Sequence, residues 1–265
     1  DVFQSGPKGQ STSIFTRGSE SNHTLVLING IAINDQSVTD GQHDFGQDFV
    51  QTIQQIEVYK GSNGAHFGPS AIAGAINFIT AIDYSNSYSL SGFNGKNNSV
   101  NGNYTKITNN GWHLNIKGAT NRDETDSAIA DGNEDDGLKN VQVNLNGEKW
   151  INDNLKFKSI LYSRSSKADY DGSSTSEEGY VSDNRMYIFQ TGLDHISKKS
   201  EDTLVFHYHN YDRGYENIDG TPVLDEYDSE SFVVKGERKI IPTNKKFSFG
   251  YGSEYKYDWS TFENR

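Results

Sequence analysis

The sequence predicts a mainly β protein in two parts, a small mixed α/β domain in residues 1–82 and a long antiparallel sheet in residues 83–265. Apolar and polar residues alternate repeatedly in the second part, and side chains alternate across a β-strand. The tyrosines support the same division, because only Tyr59 precedes residue 83 and the other 14 of 15 follow it. We therefore place the domain boundary at residues 80–83.

The first part contains three short apolar runs, 24–33, 53–59 and 71–79, which glycine-rich segments connect. Such runs are typical of buried strands in a small mixed domain. A helical turn is predicted near residues 45–54.

The second part contains nine candidate strands with one apolar and one polar face each. Several are about ten residues long, which is enough to cross a bilayer when the strand is tilted. They are residues 84–93, 99–107, 112–120, 140–150, 155–164, 185–196, 203–211, 231–240 and 247–260.

The connections between these strands alternate in length. Short turns lie at 109–111, 151–154, 197–202 and 241–246, and long loops at 121–139, 165–184 and 212–230. This alternation is typical of an outer-membrane β-barrel, whose periplasmic turns are short and whose outer loops are long. The strand-end tryptophans Trp112, Trp150 and Trp259 would fit its interfacial girdles. A soluble secreted β protein that binds glycans through its aromatic residues remains the alternative from another class.

Composition excludes several classes of protein. The formal net charge of −12 argues against a nucleic-acid partner, which requires concentrated Lys and Arg. No run approaches the roughly 20 apolar residues of a membrane-spanning helix, and no cysteine is present. No Ser, His and carboxylate set occurs in a catalytic motif, so we expect no enzyme. His207 and His209 share one strand face, and we expect both to face the barrel lumen rather than to bind a metal.

Four motifs in the first part resemble the plug domain of TonB-dependent outer-membrane receptors. They are residues 12–18 (TSIFTRG), 24–34 (TLVLINGIAIN), 56–61 (IEVYKG) and 67–80 with its Phe-Gly and AIAGAINFIT segments. The resemblance implies that residues 1–82 form a plug with an incomplete N-terminus inside a barrel of about 22 strands. It also implies import of a small molecule across the bacterial outer membrane, in contact with its lipid. The TonB complex would supply the energy through a box preceding Asp1.

Within this family, the first barrel loops are most similar to those of cobalamin (vitamin B12) receptors, in which calcium orders the outer loops. The residue types fit calcium, which prefers carboxylate, amide and carbonyl oxygens. The pattern is not an EF-hand, because the glycine is displaced and residue 142 is Gln. The resemblance implies calcium ligands at Asp123, Glu134, Asp136, Tyr170, Asp171 and Asp183.

The same resemblance implies that Asn34, Phe67 and Pro69 line the floor of the substrate site. Pro69 replaces a serine of the family and has no side-chain donor, so the ligand geometry would differ there. Asn34 is equally compatible with a turn residue at a strand end. Because plug motifs are shared across substrates, a receptor for siderophores or another nutrient is the alternative within the family.

Overall fold

The computed structural model describes most of the chain. The described residues are 1–6, 8–38, 40–48, 50–61, 67–68, 70–80, 84–126, 135–170, 179–217, 222–242 and 247–264. Within them, no helix is both long and apolar enough to cross a membrane.

The first part is built on a four-stranded sheet and a small hairpin. In the sheet the order is β4-β3-β6-β5, with β3 and β6 parallel and the outer pairs antiparallel. The hairpin pairs β1 with β2, and short 3-10 turns occupy Ser21–His23 and Phe45–Gln47. The strands are β1 (Val2–Gln4), β2 (Thr12–Ile14), β3 (Thr24–Ile28), β4 (Ile31–Ala32), β5 (Gln55–Lys60) and β6 (Gly74–Ile79).

The central strand β3 is buried along its whole length because both faces of the sheet are covered. On one face, Val26, Ile28 and Phe78 join an apolar cluster that includes Tyr162 and Met186 of the second part. On the other face, a smaller cluster of Leu25, Leu27, Ala71 and Ala75 packs against Tyr59 and Phe67. The core of the first part is therefore shared with the wall of the second part.

The second part is one antiparallel sheet in which each strand pairs with the next along the chain. Its strands are β7 (Ser87–Phe93), β8 (Asn97–Ile107), β9 (Trp112–Asp126), β10 (Asp135–Trp150), β11 (Leu155–Tyr170), β12 (Tyr180–Ile196), β13 (Ser200–Asn217), β14 (Pro222–Ile240) and β15 (Phe249–Asn264). The predicted number and order of these strands are confirmed.

The predicted strand ends were wrong on the side of the long connections. β9 continues to Asp126 instead of residue 120, β11 continues to Tyr170 instead of 164, and β12 begins at Tyr180 instead of 185. The apolar-polar pattern fades at these points, but the backbone ladder needs only paired N–H and C=O groups and continues beyond it. The hairpins therefore rise well past the apolar part of the sheet.

The two faces of this sheet differ sharply in chemistry. The inward face is polar, and its Asn115, Gln142, Asn144 and His207 are at most 1% exposed. The outward face carries exposed apolar side chains. They include Leu114, Ile116, Val141, Val143, Leu145, Leu161, Tyr187, Phe189, Leu204, Phe206 and Phe232. The expectation that the two histidines face the lumen is confirmed for this sheet, since both His207 and His209 are buried on the inward side.

Candidate ligand site between plug and wall

A cavity of about 520 Å³ lies where the inward face of the sheet meets the first part, toward the long connections. The first part contributes Ser11, Asp35, Val38, Gln42 and Asp44, and the sheet contributes Tyr170, Tyr180, Ser182, Asn184, Arg213, Tyr215, Asp225 and Tyr227. Polar and aromatic groups therefore converge on one concave space, as is typical of small-molecule sites.

Four tyrosines from four neighbouring strands form one wall of this cavity. The rings of Tyr170 in β11 and Tyr180 in β12 stack with centroids 5.5 Å apart and planes 9° apart. Tyr215 in β13 meets Tyr180 edge-on at 5.6 Å, and Tyr227 in β14 lies 6.4 Å from Tyr215. These spacings are those of favourable aromatic pairs. The result is a continuous aromatic surface that a ligand with flat or apolar parts can cover.

One cation is fixed against this aromatic surface. The Arg213 guanidinium lies 4.4 Å from the ring centroid of Tyr227 and 6.0 Å from that of Tyr215, within the range of cation–π attraction. Its Nη1 atom is 3.4 Å from Oδ2 of the buried Asp35. The buried Nε–H of Arg213 has no hydrogen-bond partner among the described residues, so it is available to a ligand acceptor.

Asp35 connects the cavity to the first part. Its Oδ1 atom accepts hydrogen bonds from the backbone N–H of Ser37 at 2.8 Å and from the hydroxyl of Ser229 in β14 at 3.3 Å. A ligand that contacts Arg213 would therefore also influence the segment that carries Asp35.

Asn34 and Phe67, which the sequence assigned to the substrate floor, do not line this cavity. Asn34 is 6% exposed, and its Oδ1 atom accepts from the Val26 N–H while its Nδ2 donates to the Gly41 carbonyl, both at 2.9 Å. Its side chain thus holds the turn that presents Asp35. Phe67 packs against Tyr59 at 4.8 Å between ring centroids, and Pro69 lies outside the described residues.

The described members of the predicted calcium set lie apart. Asp123 faces inward and accepts from Lys8 at 3.3 Å and from Asn121 at 2.6 Å. Asp183 faces outward, and its Oδ2 lies 3.0 Å from the Lys167 ammonium and 2.9 Å from the Arg185 guanidinium.

The remaining members do not complete a site within the described residues. Tyr170 faces inward and donates to the Gly9 carbonyl at 3.3 Å. The Asp136 backbone pairs with Thr125, but its side chain and residues Glu134 and Asp171 lie outside the described part. Among described residues, no three acidic or histidine side chains converge as a metal site requires. The described residues alone therefore leave the calcium prediction untested.

A buried charged group between plug and wall was missed by sequence reasoning. Arg164 in β11 is fully buried, and its Nη1 atom binds Oδ1 of Asp48, which follows the 3-10 turn at Phe45–Gln47. His43 Nε2 lies 2.6 Å from the other carboxylate oxygen. Burial would raise the pKa of the Asp48 carboxyl, but the neighbouring His43 and Arg164 outweigh it and lower that pKa below 3.8. We call Arg164, Asp48 and His43 the buried latch.

The sequence comparisons agree with this architecture. Residues 1–75 match the family model of the TonB-dependent receptor plug domain. The chain is also 33% identical, over 179 residues, to the vitamin B12 transporter of Photobacterium profundum. Because that stretch is longer than the plug, the similarity extends into the sheet. The chain is therefore similar to the TonB-dependent receptors, and its residues 1–75 carry their plug domain. It is an outer-membrane protein, and its first part is the plug of the family.

Solved structures of the family share the fold. The siderophore receptor PiuA of Acinetobacter baumannii superposes with a TM-score of 0.73 at 15% identity, covering 97% of this chain and 40% of that one. The siderophore receptor PirA of Pseudomonas aeruginosa gives 0.68 at 14% identity, covering 93% and 42%. The match to the vitamin B12 transporter covers 64% of this chain and 28% of that protein. The chain thus spans less than half the length of these relatives.

Proposed function

We propose that the receptor captures a scarce nutrient at the cavity lined by the four tyrosines, and that this nutrient is cobalamin. The receptor would pass it to the periplasm with energy from the TonB complex. The observation that carries the choice of ligand is the 33% identity over 179 residues to a vitamin B12 transporter. The siderophore receptors among the structural neighbours share the fold at 15% identity or less in the two cases compared above.

The cavity supports capture of a small molecule by its composition and its position. An aromatic surface supplies contact area at low conformational cost, and Arg213 supplies a directed cation. The floor belongs to the plug and the walls to the barrel, so a ligand touches both. Any ligand that binds two arrangements of the plug with different affinity shifts their populations, and Asp35 is one of the plug residues that such a ligand would contact.

The test is equilibrium binding by the full gene product in detergent. Cyanocobalamin should bind, and Tyr180→Ala should weaken it about 3- to 10-fold, the size of a lost aromatic contact of 0.5–1.5 kcal/mol. Tyr187→Ala is the matched control, because Tyr187 lies on the outward face of the same strand and should leave affinity unchanged. Equal loss in both variants, or no cobalamin binding, would contradict the proposal.

A siderophore receptor is the second candidate, favoured by the unpartnered Nε–H of Arg213. An anionic ferric siderophore would gain a charge-assisted hydrogen bond there. Tight ferric-siderophore binding that falls at least tenfold in Arg213→Gln, without any response to cobalamin, would replace cobalamin as the ligand.

Calcium stays a prediction that rests on the loop carboxylates, including residues outside the described part. If calcium orders these loops, cobalamin affinity should rise with added calcium and fall after chelation. No change in affinity on chelation would remove calcium from the proposal without affecting ligand capture.

A further inference from the structure

An incomplete ion pair joins the plug and the wall in the cavity lined by the four tyrosines. Nη1 of Arg213 in β13 lies 3.4 Å from Oδ2 of Asp35, and the two side chains are 16% and 5% exposed. Neither Oδ2 of Asp35 nor the Nε–H of Arg213 has a hydrogen-bond partner among the described residues. Buried polar atoms in proteins are almost always hydrogen-bonded. An unpaired acceptor and an unpaired donor at one place in a cavity therefore indicate that a ligand group completes them.

The Asp35 carboxylate is held in one orientation by its other oxygen. Its Oδ1 atom accepts hydrogen bonds from the backbone N–H and the hydroxyl of Ser37, at 2.8 and 2.6 Å, and from the hydroxyl of Ser229 at 3.3 Å. Three donors fill the acceptor capacity of one carboxylate oxygen. Oδ2 is therefore the oxygen that remains for a ligand, and the carboxylate cannot turn away from Arg213 without losing these bonds.

The Arg213 guanidinium is held by ring contacts and by charge rather than by hydrogen bonds to Asp35. It lies 4.4 Å from the ring centroid of Tyr227 and 6.0 Å from that of Tyr215. Nε and Nη1 are bonded to the same carbon atom of the planar guanidinium, and Nη1 is the atom that faces Asp35. The open donor thus lies beside the open acceptor. One ligand group that accepts with one atom and donates with its neighbour can pair with both.

The charges around this pair disfavour a charged ligand group. Among the described residues that line the cavity, Arg213 is the one cation, whereas Asp35, Asp44 and Asp225 are carboxylates. A ligand carboxylate has only acceptors, so it would pair with Arg213 but face the fixed oxygen of Asp35. A ligand ammonium has only donors, so it would pair with Asp35 but face Arg213. A neutral group with both functions avoids both conflicts.

We propose that Arg213 and Asp35 together recognise a primary carboxamide of the captured ligand. The carboxamide oxygen accepts from the Nε–H of Arg213, and the carboxamide N–H donates to Oδ2 of Asp35. A primary carboxamide carries this acceptor and this donor on one carbon atom, and a flat part of the ligand then lies on the tyrosine rings. This inference rests on the proposed function, because it takes the cavity as the place of capture, and it adds that the ligand presents a neutral amide there.

Nicotinamide and nicotinate test the pair, because they share one aromatic ring and differ only in a carboxamide against a carboxylate. Titration by saturation-transfer NMR with the full gene product in detergent gives the two affinities. We expect nicotinamide to bind about tenfold more tightly than nicotinate, since the carboxylate loses one hydrogen bond and faces Asp35. Tyr180→Ala should weaken both fragments alike, because it removes aromatic surface and leaves the pair intact.

Asp35→Asn should reverse this preference. The asparagine keeps an oxygen for Ser37 and Ser229 and replaces Oδ2 by an N–H donor, so nicotinate then meets two donors and nicotinamide loses its acceptor. Asp225→Asn is the matched control, since it removes the same charge from the same cavity without changing the pair. It should leave nicotinamide the tighter ligand. Heat-modifiable migration reports that each barrel is folded.

The inference would be overturned by equal affinity for the two fragments, by no binding of nicotinamide, by an unchanged preference in Asp35→Asn, or by an equal reversal in Asp225→Asn. Cyanocobalamin, whose corrin ring bears primary carboxamides, separates this failure from failure of cobalamin capture. Cobalamin binding without a nicotinamide preference would leave capture standing and remove the pair. A nicotinamide preference that Asp35→Asn reverses, without cobalamin binding, would keep the pair and replace the ligand.

Discussion

The inward and outward faces of the same barrel strands are stabilised by opposite means. In β10, Asn140 and Gln142 are buried at 2% exposure or less, whereas the alternating Val141 and Val143 are 51% and 41% exposed in the chain. The outward residues need only an apolar surrounding, because lipid has no hydrogen bonds to offer. The inward residues need specific partners, because an unpaired buried polar group costs about 1–3 kcal/mol.

The dependence of the inward face on specific partners is greatest at the buried latch. Arg164→Met leaves the Asp48 carboxylate in a buried position without one of its two partners, and breaking such a pair costs about 3–5 kcal/mol. We expect the apparent free energy of unfolding in denaturant to fall by that amount.

Two controls distinguish the latch from general damage to β11. Ser165→Ala, on the outward face of the same strand, should change stability by less than about 0.5 kcal/mol. Adding Asp48→Asn to Arg164→Met removes the stranded charge and should restore part of the loss. Equal effects of Arg164→Met and Ser165→Ala would show that the two faces do not differ as described.

Introducing a charge, rather than removing one, tests whether the outward face contacts lipid. Leu145→Arg places a cation on the lipid side of β10 and should cost about 2–4 kcal/mol if residue 145 lies near the bilayer midplane. Lys149→Arg, at the end of the same face, should be nearly neutral. Equal unfolding curves for both variants in lipid vesicles would contradict the assignment of this face to lipid.

Within the plug, Gly74 at the start of β6 is constrained by backbone rather than by side-chain chemistry. Its φ is +150°, and a Cβ atom there would lie 2.1 Å from the Tyr59 carbonyl oxygen. Gly74→Ala should therefore destabilise the receptor by about 1–3 kcal/mol. Gly18→Ala, where a Cβ would meet nothing within 4 Å, shares the positive φ and serves as control. A loss no larger than that of the control would argue against the close approach.

The smallest expected effect is a loss of folding stability in acid. The pKa of Asp48 in the folded state is lowered below 3.8. The contribution of Asp48 to folding stability is therefore complete above pH 3.8, and it is lost as the pH falls through the folded-state pKa. Stability from the latch should thus be constant between pH 7 and 5 and decline only below about 3.8. Unfolding curves of the parent and of Asp48→Asn should converge in that acid range. Convergence near pH 6 would contradict the lowered pKa.

Much of this division into faces could be predicted from the sequence, since alternation fixes which side of a strand each residue occupies. The number of strands and the lumen side of His207 and His209 followed from that rule. The latch did not, because Arg164 and Asp48 are 116 positions apart and meet only when the plug is inside the barrel.

The aromatic surface shows a different limit of prediction from the sequence. The sequence placed all four tyrosines in long loops and so assigned them no strand face, and the meeting of Tyr215 with Tyr227 depends in addition on strand register. A register shift between Gly214 and Tyr215 changes the pairing of β13 with β14 just there. Irregular pairing of this kind leaves no periodic trace in the sequence.

The apolar cluster shared by plug and wall has a mechanical consequence. Val26 and Ile28 of the plug pack in one cluster with Met186 and Ile188 of the wall. Burying one such side chain is worth about 1.5–3 kcal/mol, so sliding the plug out whole would expose several of them together. This joint therefore resists displacement of the plug as one body. Less work is needed to peel away a peripheral segment such as the exposed strand β1 while the joint holds.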